Sequence, residues 1–373
     1  MRNNRRPSGV KAAILATLLA AIAVVMAEPA SADPSPRTTG HIATRTLSEP
    51  KEQSPAGTNT AICFPGATFL ERTSSCSSGY IRLRFKDKES GATIGTGNLN
   101  YSSSVTLDPR NRYKWTDEVT LRLTELTIPE ETLVLGDVGV NCGACLPSPG
   151  NIQRLVPNTK RTYSMVISSP GTAIVTDLQA PFVTITGPAL DTTSIQIGKA
   201  FKVRCDNTER MSPAATGGCV YPDAVPTYVL STAGPYNEVA SHVAWAQANL
   251  QNHWGKKGSG PALQRTSKKD LIKANRDTAC PKSMPRPPGQ NCDEYPFASS
   301  LQGASNNPTD FSYRMISASQ NCQEGSIRKS WYNANRLFEE EKFWVEVTSL
   351  PTNAAPPTVS PFDDDDDNDE CPV

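Results

Sequence analysis

The alternation of apolar and polar side chains divides this 373-residue chain into two stretches of different period. Between Ala61 and Lys202 the period is two. Tyr80-Ile81-Arg82-Leu83-Arg84-Phe85, Val119-Thr120-Leu121-Arg122-Leu123 and Phe182-Val183-Thr184-Ile185 each place every second side chain on one face, with Gly, Pro and Asn between the runs. Half-buried antiparallel strands have this pattern, and it predicts an all-β, sandwich-like domain over 61–202. No catalytic cluster is visible in it, which suits a binding or spacer module. From 203 to 350 the pattern changes. Val225 to Leu230 reads as a buried strand. Val239, Val243, Ala246 and Leu250 then recur at helical spacing, and Gly258-Ser259-Gly260-Pro261 breaks that helix. A short helix is expected around Lys269 to Arg276, a strand from Phe311 to Ile316, a helix from Ser326 to Leu337 and a closing strand from Phe343 to Val347. This mixture predicts an α+β domain, and two domains agree with roughly 100–200 residues apiece.

The flanks differ from both stretches. Arg2, Arg5, Arg6 and Lys11 precede an apolar run from Ala12 to Ala27, and Ala30-Ser31-Ala32 follows as a small-x-small cleavage site. A basic head, a short apolar middle and a small-residue exit describe a signal peptide over 1–32. The run is shorter than the about 20 residues of a comfortable membrane span, although an uncleaved N-terminal anchor is the alternative. The expected mature protein is extracellular and membrane-free. Residues 33–60 are rich in Pro, Ser and Thr and read as a linker. Residues 351–373 carry Asp363 to Asp367, Asp369 and Glu370, a solvated acidic tail whose alternatives are Ca²⁺ binding or mimicry of nucleic acid.

Cysteine usage supports export. All ten cysteines lie beyond the proposed cut, and an even count in an exported chain reads as a disulfide framework. The pairs Cys63/Cys76, Cys205/Cys219 and Cys280/Cys292 are the cheapest closures, each stabilising by roughly 3 kcal/mol. Cys142-Gly-Ala-Cys145 has the spacing of a metal knuckle or redox pair. With no second CxxC and three histidines in the chain, a structural cross-link is favoured. Net charge is zero, so no global field draws the protein to polyanions, though without the tail the body is mildly basic.

One segment carries chemistry. Cys292-Asp293-Glu294-Tyr295-Pro296-Phe297-Ala298 resembles the signature of the NucA/NucB family of secreted bacterial deoxyribonucleases. The resemblance runs in order and spacing through Cys205-Asp206, Gly218-Cys219-Val220-Tyr221-Pro222-Asp223, Val239-Ala240-Ser241-His242, Asn275-Arg276-Asp277-Thr278-Ala279-Cys280-Pro281, Asn321 and Phe343-Trp344-Val345. It spans roughly residues 203 to 350 and none of the β-rich half. The resemblance implies a ββα-metal-like nuclease fold, a protein that works on DNA as a monomer, and a divalent ion, Mg²⁺ or Mn²⁺. Such hard ions prefer oxygen ligands, and they neutralise phosphate charge and assist the leaving oxygen. On this carry-over Asp293 is the candidate base in place of the usual histidine, Asn321 the candidate metal ligand and Glu324 a further group near the metal. Glu294, adjacent to Asp293, points to the opposite face if the segment is a strand, where it would orient a helix or an arginine.

His242 is expected either as a buried structural residue or as a catalytic one that protonates the leaving oxygen or contacts phosphate. His253 lies beside Trp254 and Lys256-Lys257, in keeping with a DNA-facing loop. Arg265, Lys268, Lys269, Lys273 and Arg276 have the charge to neutralise backbone phosphates without reading bases. Two positions depart from the family pattern. Gln302 precedes Gly303 where the family commonly has Glu, and Gln320 precedes Asn321 where Asp or Glu is usual. Three functions follow: an exported, metal-dependent, sequence-nonspecific deoxyribonuclease; a decayed exported protein that holds DNA or a partner; or a delivered antibacterial nuclease with an inhibitor or immunity partner. A serine hydrolase is disfavoured because no GxSxG occurs, and no glycine-rich phosphate loop is present.

Overall fold

A computed structural model describes residues 63, 66–129, 132–208 and 216–350, all within one compact unit. The leader, linker and acidic tail expected at 1–32, 33–60 and 351–373 lie outside these residues. Among the described residues no helix is long and apolar enough to cross a membrane.

The period-two stretch forms two facing sheets. The first contains β1 (Thr68–Leu70), β2 (Ser74–Lys86), β3 (Thr93–Thr106) and β4 (Trp115–Thr124). The chain then passes through β5 (Leu135–Asn141), β6 (Leu146–Pro147), β7 (Gln153–Arg154), β8 (Lys160–Ser168), β9 (Val175–Gly187), β10 (Leu190–Gln196), β11 (Phe201–Asp206) and β12 (Gly218–Val220). One sheet has the order β1-β2-β3-β4-β8-β6, and the other β12-β11-β9-β5-β7 with β10 paired to β9. Alternation decides which side chains face inward. On β4, Trp115, Asp117, Val119, Leu121 and Leu123 are buried while the residues between them are not. The apolar four of these meet Val138, Val183, Ile185 and Val203 from the other sheet in one core.

The expected boundary at 203 falls inside this sandwich. Strand β11 pairs with β9 and β12, and Cys205 is bonded to Cys219. Val203, Cys205, Cys219, Tyr221 and Ala224 belong to the sandwich core, so the packing divides after Ala224. The disulfides Cys63–Cys76, Cys142–Cys145 and Cys280–Cys292 also form, and no described cysteine is free.

The second core holds β13 (Thr227–Ser231), α1 (Asn237–Asn249), β14 (Leu263–Gln264), α2 (Lys269–Ala279), β15 (Gln290–Tyr295), β16 (Ser312–Ser317), α3 (Ala318–Ala334) and β17 (Lys342–Thr348). Strand β17 is central, parallel to β13 and antiparallel to β14, and β15 and β16 form a separate antiparallel pair. This half is α+β. Val239, Val243, Ala246 and Leu250 of the α1 segment pack with Tyr228, Tyr295, Phe297, Tyr332 and Phe343. Helix α3 begins eight residues before its expected start at Ser326. Its first two turns, Ala318 to Gly325, are too polar to show an apolar period; Ser317 instead starts the helix by accepting from the Gln320 amide.

Buried ions join the two cores. Arg336, in the turn after α3, donates to the Asp206 carboxylate and backbone and to the Pro109 carbonyl. Arg72 bonds Glu341 at 2.6 Å, the Asn335 carbonyl at 2.7 Å and the Arg336 carbonyl at 2.9 Å. Arg204 bonds Glu341 and the Arg336 carbonyl and stacks on Phe338 at 3.8 Å. Arg72, Asp206 and Arg204 come from the sandwich, whereas Glu341 and Arg336 come from the second core.

Candidate active site

The hairpin β15–β16 sets the geometry of the site. Its register places Asp293 opposite Arg314 and Glu294 opposite Tyr313. The bond Cys280–Cys292 ties β15 to the end of α2, and α3 follows β16 directly. Because neighbours on a strand face opposite ways, Asp293 and Glu294 meet different surroundings.

Asp293 faces α1 and is 3 % exposed. Its Oδ2 lies 2.6 Å from His242 Nδ1, and His242 Nε2 lies 2.9 Å from Ser312 Oγ. A carboxylate only accepts, so His242 donates from Nδ1; with neutral imidazole, Nε2 then accepts the Ser312 hydroxyl. Serine, histidine and aspartate thus form one buried chain that fixes the carboxylate. His242 is 0 % exposed and both ring nitrogens are engaged. It is therefore a buried residue held between Asp293 and Ser312, as the structural expectation had it.

Glu294 faces the other way. Burial and the neighbouring Asp293 raise its carboxyl, Arg276, Arg328 and the Ala298 N–H oppose them, and the balance lies at about 7. Arg328 donates to Glu324 at 3.0 and 3.2 Å and to Ser299 at 2.7 Å, with its guanidinium 3.9 Å from the Phe297 ring centre. Glu324 is fully buried in this pair, its carboxylate engaged by Arg328.

Asn321 Nδ2 donates to the Cys292 carbonyl at 3.2 Å, one residue before Asp293. That bond brings α3 against β15 and leaves Oδ1 as the atom a hard cation would take. Cys322, the next residue on α3, is disulfide-bonded. The described residues contain no group of three or more His, Cys, Asp or Glu able to hold a metal. The oxygen donors present suit an ion such as Mg²⁺, which keeps several waters and takes one or two protein ligands together with substrate phosphate.

The basic candidates scatter. Arg276 is exposed on α2 and acts electrostatically on Glu294. Lys269 is exposed at the start of α2, and Lys273 pairs with Asp277. Arg265 is drawn into packing, bonding the Leu337 carbonyl with its guanidinium 5.1 Å from the Tyr332 ring centre. His253 bonds the Gln247 carbonyl at 2.9 Å beyond the end of α1.

The two departures have local uses. Gln302 exchanges bonds with Gln264, at 2.8 Å to its backbone and 3.1 Å to its side chain. Gln320 exchanges bonds with Glu238 at the first turn of α1. Gly303 is required beside Gln302, because a Cβ there would lie 2.2 Å from buried Asn275. Sequence inspection missed Ser312 and Arg328. Ser312 carries no motif, and Arg328 sits within an ordinary i,i+4 pair with Glu324.

Comparison with known proteins agrees with the hairpin. The family model for deoxyribonuclease NucA/NucB matches residues 250–346, narrower than the 203–350 expected, and it includes Asp293, Glu294 and Asn321 but not His242. No curated protein and no solved structure matches the chain. The hairpin with its paired carboxylates and the helix after it thus lie within the C-terminal segment that is similar to the NucA/NucB deoxyribonuclease family.

Proposed function

We propose that the chain is an exported, metal-dependent endonuclease that hydrolyses DNA phosphodiester bonds with little sequence specificity. The observation that carries this is the buried Ser312–His242–Asp293 chain on a hairpin followed at once by the helix of Asn321. A strand-borne base beside a helix-borne ligand is the ββα-metal arrangement. Asp293, oriented through Oδ2 by His242, takes the proton of the attacking water at Oδ1. Asn321 Oδ1 would hold the ion, which supplies phosphate neutralisation and assistance to the leaving oxygen when bound. Glu294 orients Arg276, whose exposed guanidinium contacts phosphate without reading a base. The disulfides support an oxidising, extracellular setting, and Cys63, Cys76, Cys142 and Cys145 extend that support to the sandwich.

The test is nicking of supercoiled plasmid by the oxidised full-length protein with Mg²⁺ or Mn²⁺, with EDTA, and with Asp293→Ala and Asp293→Asn in parallel. Metal-dependent nicking that falls by at least about a hundredfold in both variants is expected. A second reading, a non-catalytic DNA holder, is favoured by one observation: Gln302 and Gln320 are uncharged and engaged in packing contacts. Retained DNA binding without cleavage under any metal would establish it instead.

A further inference from the structure

The face of the hairpin that carries Asp293 continues outward to two residues the proposed chemistry does not use. Arg314 is the cross-strand partner of Asp293, and opposed residues of an antiparallel pair share a face. Ser312, two residues earlier on the same face, bonds His242 of α1. One turn further along α1, Trp245 stands 47 % exposed, with the exposed Arg314 guanidinium 5.7 Å from its ring centre. Tyr313 is 53 % exposed but belongs to the opposite face with Glu294. Trp245 is therefore the exposed aromatic residue beside the candidate base.

Its neighbours indicate what it meets. Ser241 and Asn249, one turn away on either side, are exposed and polar, and Asn249 bonds the Trp245 carbonyl. A protein-docking surface would set the ring in a contiguous apolar patch. A lone ring beside a guanidinium is instead the unit that binds single-stranded nucleic acid, the base stacking on the ring and the cation meeting the backbone. In a duplex the base faces are already stacked and unavailable. We infer that Trp245 and Arg314 form a stacking and phosphate-contact surface beside Asp293, which makes DNA with unpaired bases the preferred substrate.

The inference rests on the nuclease reading for the identity of its ligand, and its test is independent of cleavage. Full-length oxidised protein is titrated in EDTA against a fluorescein-labelled oligodeoxythymidine and against a mixed-sequence duplex of equal length. Wild type, Trp245→Ala, Trp245→Phe and Arg314→Ala are compared, with thermal unfolding to show that each is folded. Trp245→Ala should weaken single-strand binding about tenfold and leave duplex binding nearly unchanged, while Trp245→Phe restores most of the loss. Arg314→Ala should lower the slope of log affinity against log salt by about one. Equal loss on both forms, no loss on either, or a wild type that binds neither overturns the inference. Plasmid nicking that depends on Asp293, together with single-strand binding that does not depend on Trp245, would overturn it while leaving the nuclease reading intact.

Discussion

Two buried charge clusters of similar composition do different things in this molecule. At the junction between the cores, Arg72, Arg204 and Arg336 meet Asp206 and Glu341. In the candidate site, Arg276 and Arg328 act on Glu294, and Arg328 also pairs with Glu324. The junction is compensated. Its surplus guanidinium donors end on the carbonyls of Pro109, Tyr221, Asn335 and Arg336, with Arg204 Nε the buried donor left over. Burial would raise Asp206, but the Arg336 bonds outweigh it and hold the carboxyl below its usual range. Such a cluster acts as a clamp. The site is less well compensated: burial, with the adjacent Asp293 carboxyl, outweighs Arg276 and Arg328 and leaves Glu294 at about 7, able to exchange a proton near neutral pH. A third group separates burial from function. Asp117, inside the sandwich, is raised to about 7 by burial, with Ser103 as its partner and Oδ2 unbonded. A raised carboxyl by itself therefore marks no site: Asp117 is raised by burial alone, whereas Glu294 also has Asp293, Arg276 and Arg328 as charged neighbours.

The sharpest way to break the comparison is Arg336→Ala. Leaving Asp206 buried without its partner should cost about 3–5 kcal/mol by urea unfolding. A cost below about 1 kcal/mol would show that the junction is not a clamp. Asp117→Asn comes next. With the folded carboxyl at about 7 against an ordinary 3.8, the folded state binds the proton more tightly. The wild-type contribution is therefore full below pH 3.8 and is lost as pH rises through about 7. The asparagine variant should gain about 3 kcal/mol on wild type between pH 5 and pH 8, with plasmid nicking unchanged. Equal pH dependence of the two proteins would remove the raised carboxyl from the argument. The smallest effect is expected for Glu294→Gln, in the same direction, about 2 kcal/mol, because Arg276 and Arg328 lose a counter-charge. This variant should also flatten the pH profile of nicking near 7. An unaltered profile would leave Glu294 a structural group.

The strands and helices were largely legible because each has a burial pattern that repeats along the chain. Tyr80 to Phe85, Val119 to Leu123 and Phe182 to Ile185 fall within β2, β4 and β9, and the helix of Val239 to Leu250 within α1 and its cap. The pairings Cys63–Cys76, Cys205–Cys219 and Cys280–Cys292 were legible because short loops close most readily. The start of α3 was not, since a polar first turn held by a serine cap has no apolar period.

What the sequence by itself determined is local: the two hydrophobic periods, the short-range cross-links and the CDEYPFA segment with its paired carboxylates. The tertiary structure decided which face each carboxylate takes and what it meets there. His242 lies 51 positions from Asp293, and Ser312 lies 70 from His242. Arg72 reaches Glu341 across 269 positions. Periodicity carries no information about such pairs, because they are set by how helices and strands pack once their apolar faces are buried. Position along the chain likewise put Val203 to Ala224 with the second domain, whereas hydrogen bonding to β9 and burial in the sandwich core put them with the first.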